Sequence, residues 1–318
     1  MKRTTLFRSL MLVATFTSFS LPIAPSAALA VENSGYVNPQ LLVSTEWLAQ
    51  HMNDPGVKIL DRQDIDPPDD IYSKGHIPGS IRMPTSAIKG MKGDIKEMLI
   101  LKDLVTFLGA NGVTASDHII LAGNAARLPA TSRVFWALEI IGHKKASILD
   151  GGIDKWKAEN RPLTTEPAKV AAVTYKPAGL DRERFMAGDE LLGYLGLFDE
   201  LGIMVVDSRA PDEFKGLKMS RESDKLGHIP GATNLFFMAV LTGTFKEYAP
   251  AAEIEKLFKS KNITPDKNVV FTCVSGCFGT SLYFAARLMG YDHASVYDGA
   301  WIEWSRRGYP TEMSPTEK

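Results

Sequence analysis

The feature that most restricts this chain is an ordered internal repeat. One half carries Ile59-Leu60-Asp61-Arg62, Gly75-His76-Ile77-Pro78-Gly79-Ser80, Ile141-Gly142-His143, and Leu149-Asp150-Gly151-Gly152 with Trp156. The other half carries Val205-Val206-Asp207-Ser208-Arg209, Gly227-His228-Ile229-Pro230-Gly231-Ala232, Met289-Gly290-Tyr291, and Tyr297-Asp298-Gly299-Ala300 with Trp304, in the same order. A repeat of whole marker sets means two copies of one structural unit. Between the markers, short apolar stretches at 58–60, 119–121 and 147–149 alternate with helical patterns at 44–52 and 132–141. Strand and helix alternating at this spacing predict an α/β fold: two domains, each a central parallel β-sheet with helices on both faces. The domains are expected at 35–160 and 177–316, joined by a linker at 161–176 rich in Pro, Thr and Ala.

The first residues constrain location. Lys2, Arg3 and Arg8 precede an apolar stretch at 9–21, and Ala28-Leu29-Ala30 follows. This is the pattern of a secretory signal peptide, expected at 1–30 with cleavage after Ala30. The apolar stretch is too short for a membrane anchor and is followed by Pro22 and Pro25, so no membrane span is expected after cleavage. An exported protein is expected, periplasmic if the source is Gram-negative. The chain has 36 basic and 37 acidic residues, and that balance argues against a nucleic-acid partner or binding to an anionic membrane surface.

Both cysteines of the chain lie in one stretch, Cys273-Val274-Ser275-Gly276-Cys277-Phe278-Gly279-Thr280. Val269-Val270-Phe271-Thr272 before it reads as a buried strand, and the residues from Ser281 to Met289 read as a helix ending at Gly290. Cys273 therefore sits in a strand-to-helix turn, at the carboxyl end of a parallel strand where α/β sheets bind their ligands. Loop amides folded into a concave nest, with the positive end of the helix behind them, would lower the thiol pKa and cradle a persulfide or oxyanion. Gly276 and Gly279 suit a loop whose backbone turns inward. Such chemistry needs no metal and no organic cofactor.

With the paired Gly-His-Ile-Pro-Gly motifs, the paired Asp-Gly-x-x-x-x-Trp ends and the Cys-x-x-Gly turn in place, the chain resembles the tandem-domain rhodaneses, a family of sulfurtransferases. The resemblance covers roughly 35–310. It implies that Cys273 is the catalytic residue and that 274–279 (Val274, Ser275, Gly276, Cys277, Phe278, Gly279) form the persulfide-binding loop. It also implies a small sulfur donor of the thiosulfate or 3-mercaptopyruvate type, and a thiol or cyanide acceptor. The matching turn of the first half, 122–129, has no cysteine, so the first domain is expected to be inactive and to wall the cleft.

Departures from the family pattern bear on the substrate. The loop 273–280 has no basic residue, whereas thiosulfate-using members often place one there. Glu213 stands where mercaptopyruvate-using members have a substrate-binding arginine. Arg209, Lys218 and Arg221 remain as sources of substrate charge, with Arg209 equally suited to a structural ion pair. Cys277 is either a resolving thiol for Cys273 or a small packing residue. His76 and His228 are expected to be structural, and Val274, Phe278 and Trp301 to line an apolar mouth. The second reading is a rhodanese-like sulfur carrier or docking module serving a protein acceptor, with little small-molecule turnover. A phosphatase of this fold would need Arg six residues after Cys273, where Gly279 stands.

Overall fold

The computed structural model describes residues 35–63, 70–92 and 95–314. The expected signal peptide lies outside the described residues. The first half runs β1 (Leu42–Val43), α1 (Thr45–His51), β2 (Val57–Asp61), β3 (Ile81–Arg82), a hairpin of β4 (Lys89–Lys92) and β5 (Ile95–Leu99), α2 (Leu101–Ala110), β6 (His118–Ala122), α3 (Leu128–Ile140), β7 (Ala146–Leu149) and α4 (Gly152–Ala158). The second half repeats the plan: β8 (Phe185–Met186), α5 (Gly188–Gly193), β9 (Ile203–Asp207), α6 (Pro211–Lys215), β10 (Thr233–Asn234), β11 (Leu241–Thr242), β12 (Glu247–Tyr248), α7 (Ala251–Ser260), β13 (Asn268–Thr272), α8 (Gly279–Leu288), β14 (Ala294–Tyr297) and α9 (Ala300–Arg306).

Each half builds one five-stranded sheet, in the order β1-β7-β6-β2-β3 and β8-β14-β13-β9-β10. All neighbouring strands within these sheets are parallel. The central strands β6 and β13 are buried along nearly their whole length, as apolar strands of a parallel sheet covered on both faces must be. Registers agree between the copies. Asp61 pairs with Ala122 at the end of β6, and Asp207 pairs with Thr272 at the end of β13. Counting on from those pairs, Gly123 occupies the place of Cys273, and Arg127 the place of Cys277.

The two domains share one core. Eleven of the thirteen residues of α3 are buried, and nine of the ten of α8. Helices apolar nearly all round have to be covered on every side, and these two cover each other. Phe135 and Phe284 meet edge to face with centroids 4.7 Å apart, and Tyr248 packs on Phe284 at 4.8 Å. The contact has approximate twofold character. The Asp298 carboxylate accepts the Leu99 N–H from the first domain's hairpin at 2.7 Å, and the Asp150 carboxylate accepts the Tyr248 N–H from the second domain's hairpin at 3.1 Å.

The chain also crosses between the copies at its edges. Near the amino end, Asn38 N–H bonds the Leu288 carbonyl at 2.9 Å and the Tyr36 hydroxyl donates to Ala249 O at 2.6 Å, so this segment fastens onto the second domain. The expected linker lies against the first domain rather than hanging free. His76 and Thr164 form a β-bridge, Val173 N–H bonds Gly109 O at 2.8 Å, and the buried Tyr175 hydroxyl bonds His143 Nδ1 at 2.9 Å. No helix of the described residues is long and apolar enough to cross a membrane.

Because α3 and α8 share one buried interface, the halves are expected to unfold in a single transition. Phe284→Ala should cost about 3–5 kcal/mol of stability by leaving a cavity at the centre of that interface. Denaturant unfolding followed by tryptophan fluorescence and by circular dichroism checks both points; two separated transitions in the parent protein would contradict the shared core.

Candidate active site

The loop that follows β13 is held so that its carbonyls face away from the Cys273 sulfur. The Cys273 carbonyl accepts the Trp301 N–H at 2.9 Å, and the Val274 carbonyl the Ile302 N–H at 3.0 Å, both from the first turn of α9. The Ser275 carbonyl accepts from Arg133 Nη1 at 2.6 Å. The Cys277 carbonyl accepts from the Thr280 hydroxyl at 2.6 Å and from its N–H at 3.2 Å. With these oxygens tied outward, the amides of Gly279, Ser275 and Phe278 turn inward to the sulfur. Gly276 makes the reversal at φ +70°, a left-handed conformation that favours glycine. A Cβ there would stand 2.6 Å from an Asp298 carboxylate oxygen, and one on Gly279 would crowd the Thr272 backbone at 3.2 Å.

Cys273 is buried, with 1% of its surface exposed. Burial pushes its thiol pKa up, while the three amides pull it back. This corrects the expectation of a lowered pKa: the nest is present, but loss of water outweighs it in the resting protein. The amides then favour whichever species carries negative charge at that point.

Arg133 comes from α3 of the first domain and is fully buried. Besides Ser275 O it reaches the Asp298 carboxylate, and both side chains are out of contact with water. The cysteine-free domain thus contributes directly to the shape of the Cys273 loop. Nothing in the local sequence marked Arg133, which lies inside an apolar helix. Its charge in that setting was the available signal, since a buried guanidinium has to be paired.

The Cys273 loop borders a cleft of about 570 Å³ between the domains. Ser275, Cys277 and Phe278 line one side; Arg62, Thr85, Lys89 and Arg127 of the first domain face them, and Arg221 closes the rim and donates to Ser275 Oγ at 3.1 Å. Four of the described lining residues are cations and none is acidic. The charge missing from the loop itself is therefore supplied by other elements.

Several sequence-derived candidates lie elsewhere. Arg209, considered as a substrate charge, is buried and structural. Its Nε stands 2.9 Å and its Nη2 2.6 Å from Asp207 Oδ2, Nη2 also meets Gly227 O and Nη1 meets Ser220 Oγ, and the group stacks over Trp301 at 4.4 Å. Trp301 and Val274 do not line a mouth either: Trp301 lies beneath Arg209, and Val274 is buried against Ile302. Phe278 does reach the cleft, stacked on Phe237 at 4.6 Å. Cys277 is partly exposed on the cleft wall, not sunk in the core, and both cysteines are unbridged. His76 stacks on Tyr72 and His228 on Phe214, each with Nδ1 on the carbonyl of the residue it stacks against, so both hold their turns. Among the described residues no three His, Cys, Asp or Glu side chains cluster closely enough to hold a metal ion.

The family model for the rhodanese-like domain matches this chain twice, at residues 44–159 and 194–307. The chain belongs to the tandem rhodanese family of sulfurtransferases. This tandem rhodanese is 31% identical to the 3-mercaptopyruvate sulfurtransferase of Rattus norvegicus over 86% of its own length and 96% of that protein's. It is 30% identical to the sulfur carrier protein TtuD of Thermus thermophilus (85% and 95% covered) and 28% identical to the thiosulfate sulfurtransferase of Bos taurus (85% and 93%). Among solved structures, the fold matches the anaerobic ergothioneine biosynthesis enzyme from Chlorobium limicola with a TM-score of 0.77 at 23% identity, covering 88% of this chain and 72% of that one.

Two outcomes are expected from this geometry. Removing Arg133 as Arg133→Met strands a buried carboxylate and should cost about 3–5 kcal/mol of stability, seen as a lower denaturation midpoint. Because burial raises the Cys273 thiol pKa, its alkylation by iodoacetamide should keep accelerating as pH rises through the ordinary cysteine range near ~8.5. Peptide mapping against pH gives the profile, and a plateau already reached at neutral pH would contradict the buried-thiol account.

Proposed function

We propose that this tandem rhodanese moves a sulfane sulfur from a small anionic donor to a thiol or cyanide acceptor through a persulfide on Cys273. The observation that carries the reading is the Cys273 sulfur, faced by the amides of Gly279, Ser275 and Phe278, in a loop whose Ser275, Cys277 and Phe278 line a cleft walled by cations. The Cys273 thiolate attacks the outer sulfur of the donor. A new S–S bond forms at Cys273 as the donor's bond to that sulfur breaks, and the electron pair leaves with the remainder of the donor. The acceptor then attacks the terminal sulfur, and the pair returns to Cys273 as thiolate. Negative charge sits on sulfur before and after each transfer, and fixed amides stabilise it without reorganising. A signal peptide at the amino end would put this chemistry outside the cytoplasm.

A sulfur-carrier reading is the alternative. It draws on the likeness to TtuD and on Phe278, 36% exposed and stacked on Phe237 at the cleft, an apolar contact suited to a protein acceptor.

Reduced protein treated with thiosulfate, and separately with 3-mercaptopyruvate, is expected to gain one sulfur at Cys273 that cyanide removes. The gain should be absent from Cys273→Ser, with its circular dichroism unchanged. Sulfur transfer by Cys273→Ser at the parent rate would overturn the persulfide mechanism. A stable gain discharged only by a protein acceptor, with no turnover on small thiols, would favour the carrier reading.

A further inference from the structure

The turn of the first domain that corresponds to the Cys273 loop has not been left as inert filler. Strand register sets Gly123 opposite Cys273 in the repeat and Arg127 opposite Cys277. The turn has lost the means to hold an anion at its centre. Ala125 N–H is spent on the Asp154 carboxylate at 2.8 Å, and the Gly123 carbonyl is bonded by Ile153 N–H at 2.9 Å. A Cβ on Gly123 would stand 2.1 Å from Thr131 Oγ1, so the centre of the turn is closed. Yet its far end faces the same cleft as the active loop. Arg127, Pro129 and Ala130 line the cleft with Cys277 and Phe278, and the two turns touch where Thr280 Oγ1 lies 3.1 Å from the Pro129 carbonyl oxygen.

Arg127 is half-buried in that wall, and its guanidinium has no hydrogen-bond or ion-pair partner among the described residues. Its own backbone is committed locally, through Asn124 O and the Thr131 hydroxyl, which fixes where the side chain starts. A partly desolvated guanidinium left unpaired is a costly arrangement that an anionic ligand relieves, and the planar fork suits a carboxylate or sulfonate. The cleft is also large. At about 570 Å³ it falls among sites for drug-sized ligands, roughly 300–1,000 Å³, far beyond what an ion the size of thiosulfate fills.

We propose that the vestigial turn is a substrate-reading wall, in which Arg127 determines specificity by binding an anionic group several bonds away from the reacting sulfur. The substrate class is an acidic organic thiol or persulfide carrying a carboxylate remote from its sulfur, not a minimal inorganic donor. This deepens the sulfur-transfer reading and rests on it only for the identity of the reaction; the charge preference of the cleft stands apart from it.

The experiment uses two readouts on the full chain, with Arg127→Gln and Arg127→Lys. The first is labelling of the cleft thiols by two methanethiosulfonates that differ in charge, sulfonatoethyl and trimethylammonioethyl, with rates at Cys277 read by peptide mapping. The parent should favour the anionic reagent several-fold, Arg127→Gln should lose most of that preference, and Arg127→Lys should keep part of it. The second is sulfur transfer from glutathione persulfide, which bears two remote carboxylates, compared with thiosulfate. Arg127→Gln should lower kcat/KM for glutathione persulfide about tenfold or more, the effect of one lost charge-assisted hydrogen bond. The loss should sit mainly in KM, with thiosulfate much less affected. Equal labelling by the two reagents in the parent, or an unchanged ratio in Arg127→Gln, overturns the proposal even if sulfur transfer proceeds. Intact charge selectivity in a protein that transfers no sulfur would leave Arg127 as an anion site and overturn the reaction assigned to it.

Discussion

The structure depends on a single buried ion pair that joins the domains at the reacting loop. Arg133 and Asp298 are each out of contact with water, and such a pair is poor evidence for stability because desolvating two charges costs about what their attraction returns. What the pair secures is orientation. Arg133 turns the Ser275 carbonyl outward, Asp298 supports Gly276 and accepts Leu99 N–H from the opposite hairpin. The amides that face the Cys273 sulfur can point inward only because the carbonyls alternating with them are held elsewhere. An apolar pair of the same volume would fill the space without dictating which way the loop's peptide planes face.

The same logic explains why the two copies remain together after one lost its cysteine. A solitary second domain would present α8 as an apolar helix open to water and would leave Asp298 without Arg133. The first domain covers the helix, fixes the loop and supplies Arg62, Lys89 and Arg127 to the cleft. Divergence between the copies has divided the labour: one turn keeps a nest around sulfur, while the other fills its nest with the Asp154 carboxylate and turns a cation toward the shared space.

The repeat, the sheet type and the strand-to-helix turn at Cys273 were legible in the sequence because each has a local signature: ordered markers, short apolar runs, and glycines where the backbone reverses. The helix after the turn begins at Gly279, two residues before the apolar pattern does, since a helix's first turn is set by the loop that feeds it and not by its buried face. The expectations that failed, the lowered thiol pKa and the apolar mouth of Val274 and Trp301, concerned surroundings that come from distant segments. Of the two roles open to Arg209, the structure gives the structural one, through Asp207 two residues earlier together with Ser220, Gly227 and Trp301. The lowered thiol pKa was inferred from the amides and the helix end behind them, whereas burial depends on residues distant in sequence, among them the start of α9, whose Trp301 N–H bonds the Cys273 carbonyl. Arg133 and Arg127 were overlooked for the same reason, as their meaning lies across a domain boundary that local pattern does not cross.

The resting thiol gives the nest a particular role. Burial raises the Cys273 thiol pKa and so disfavours the thiolate, the form that oxidants attack. The cations of the cleft act on the substrate instead, and their pull on an anionic donor strengthens as it displaces water and lowers the local dielectric. A donor held against Arg127 and Arg221 would cancel their charge just as it presents its outer sulfur. The stabilisation of the thiolate would then fall to the amides of Ser275, Phe278 and Gly279, whose dipoles no ligand can neutralise. On this argument, cations select what enters and backbone dipoles run the chemistry, so changes to the cations should alter which substrate is used more than how fast the sulfur moves.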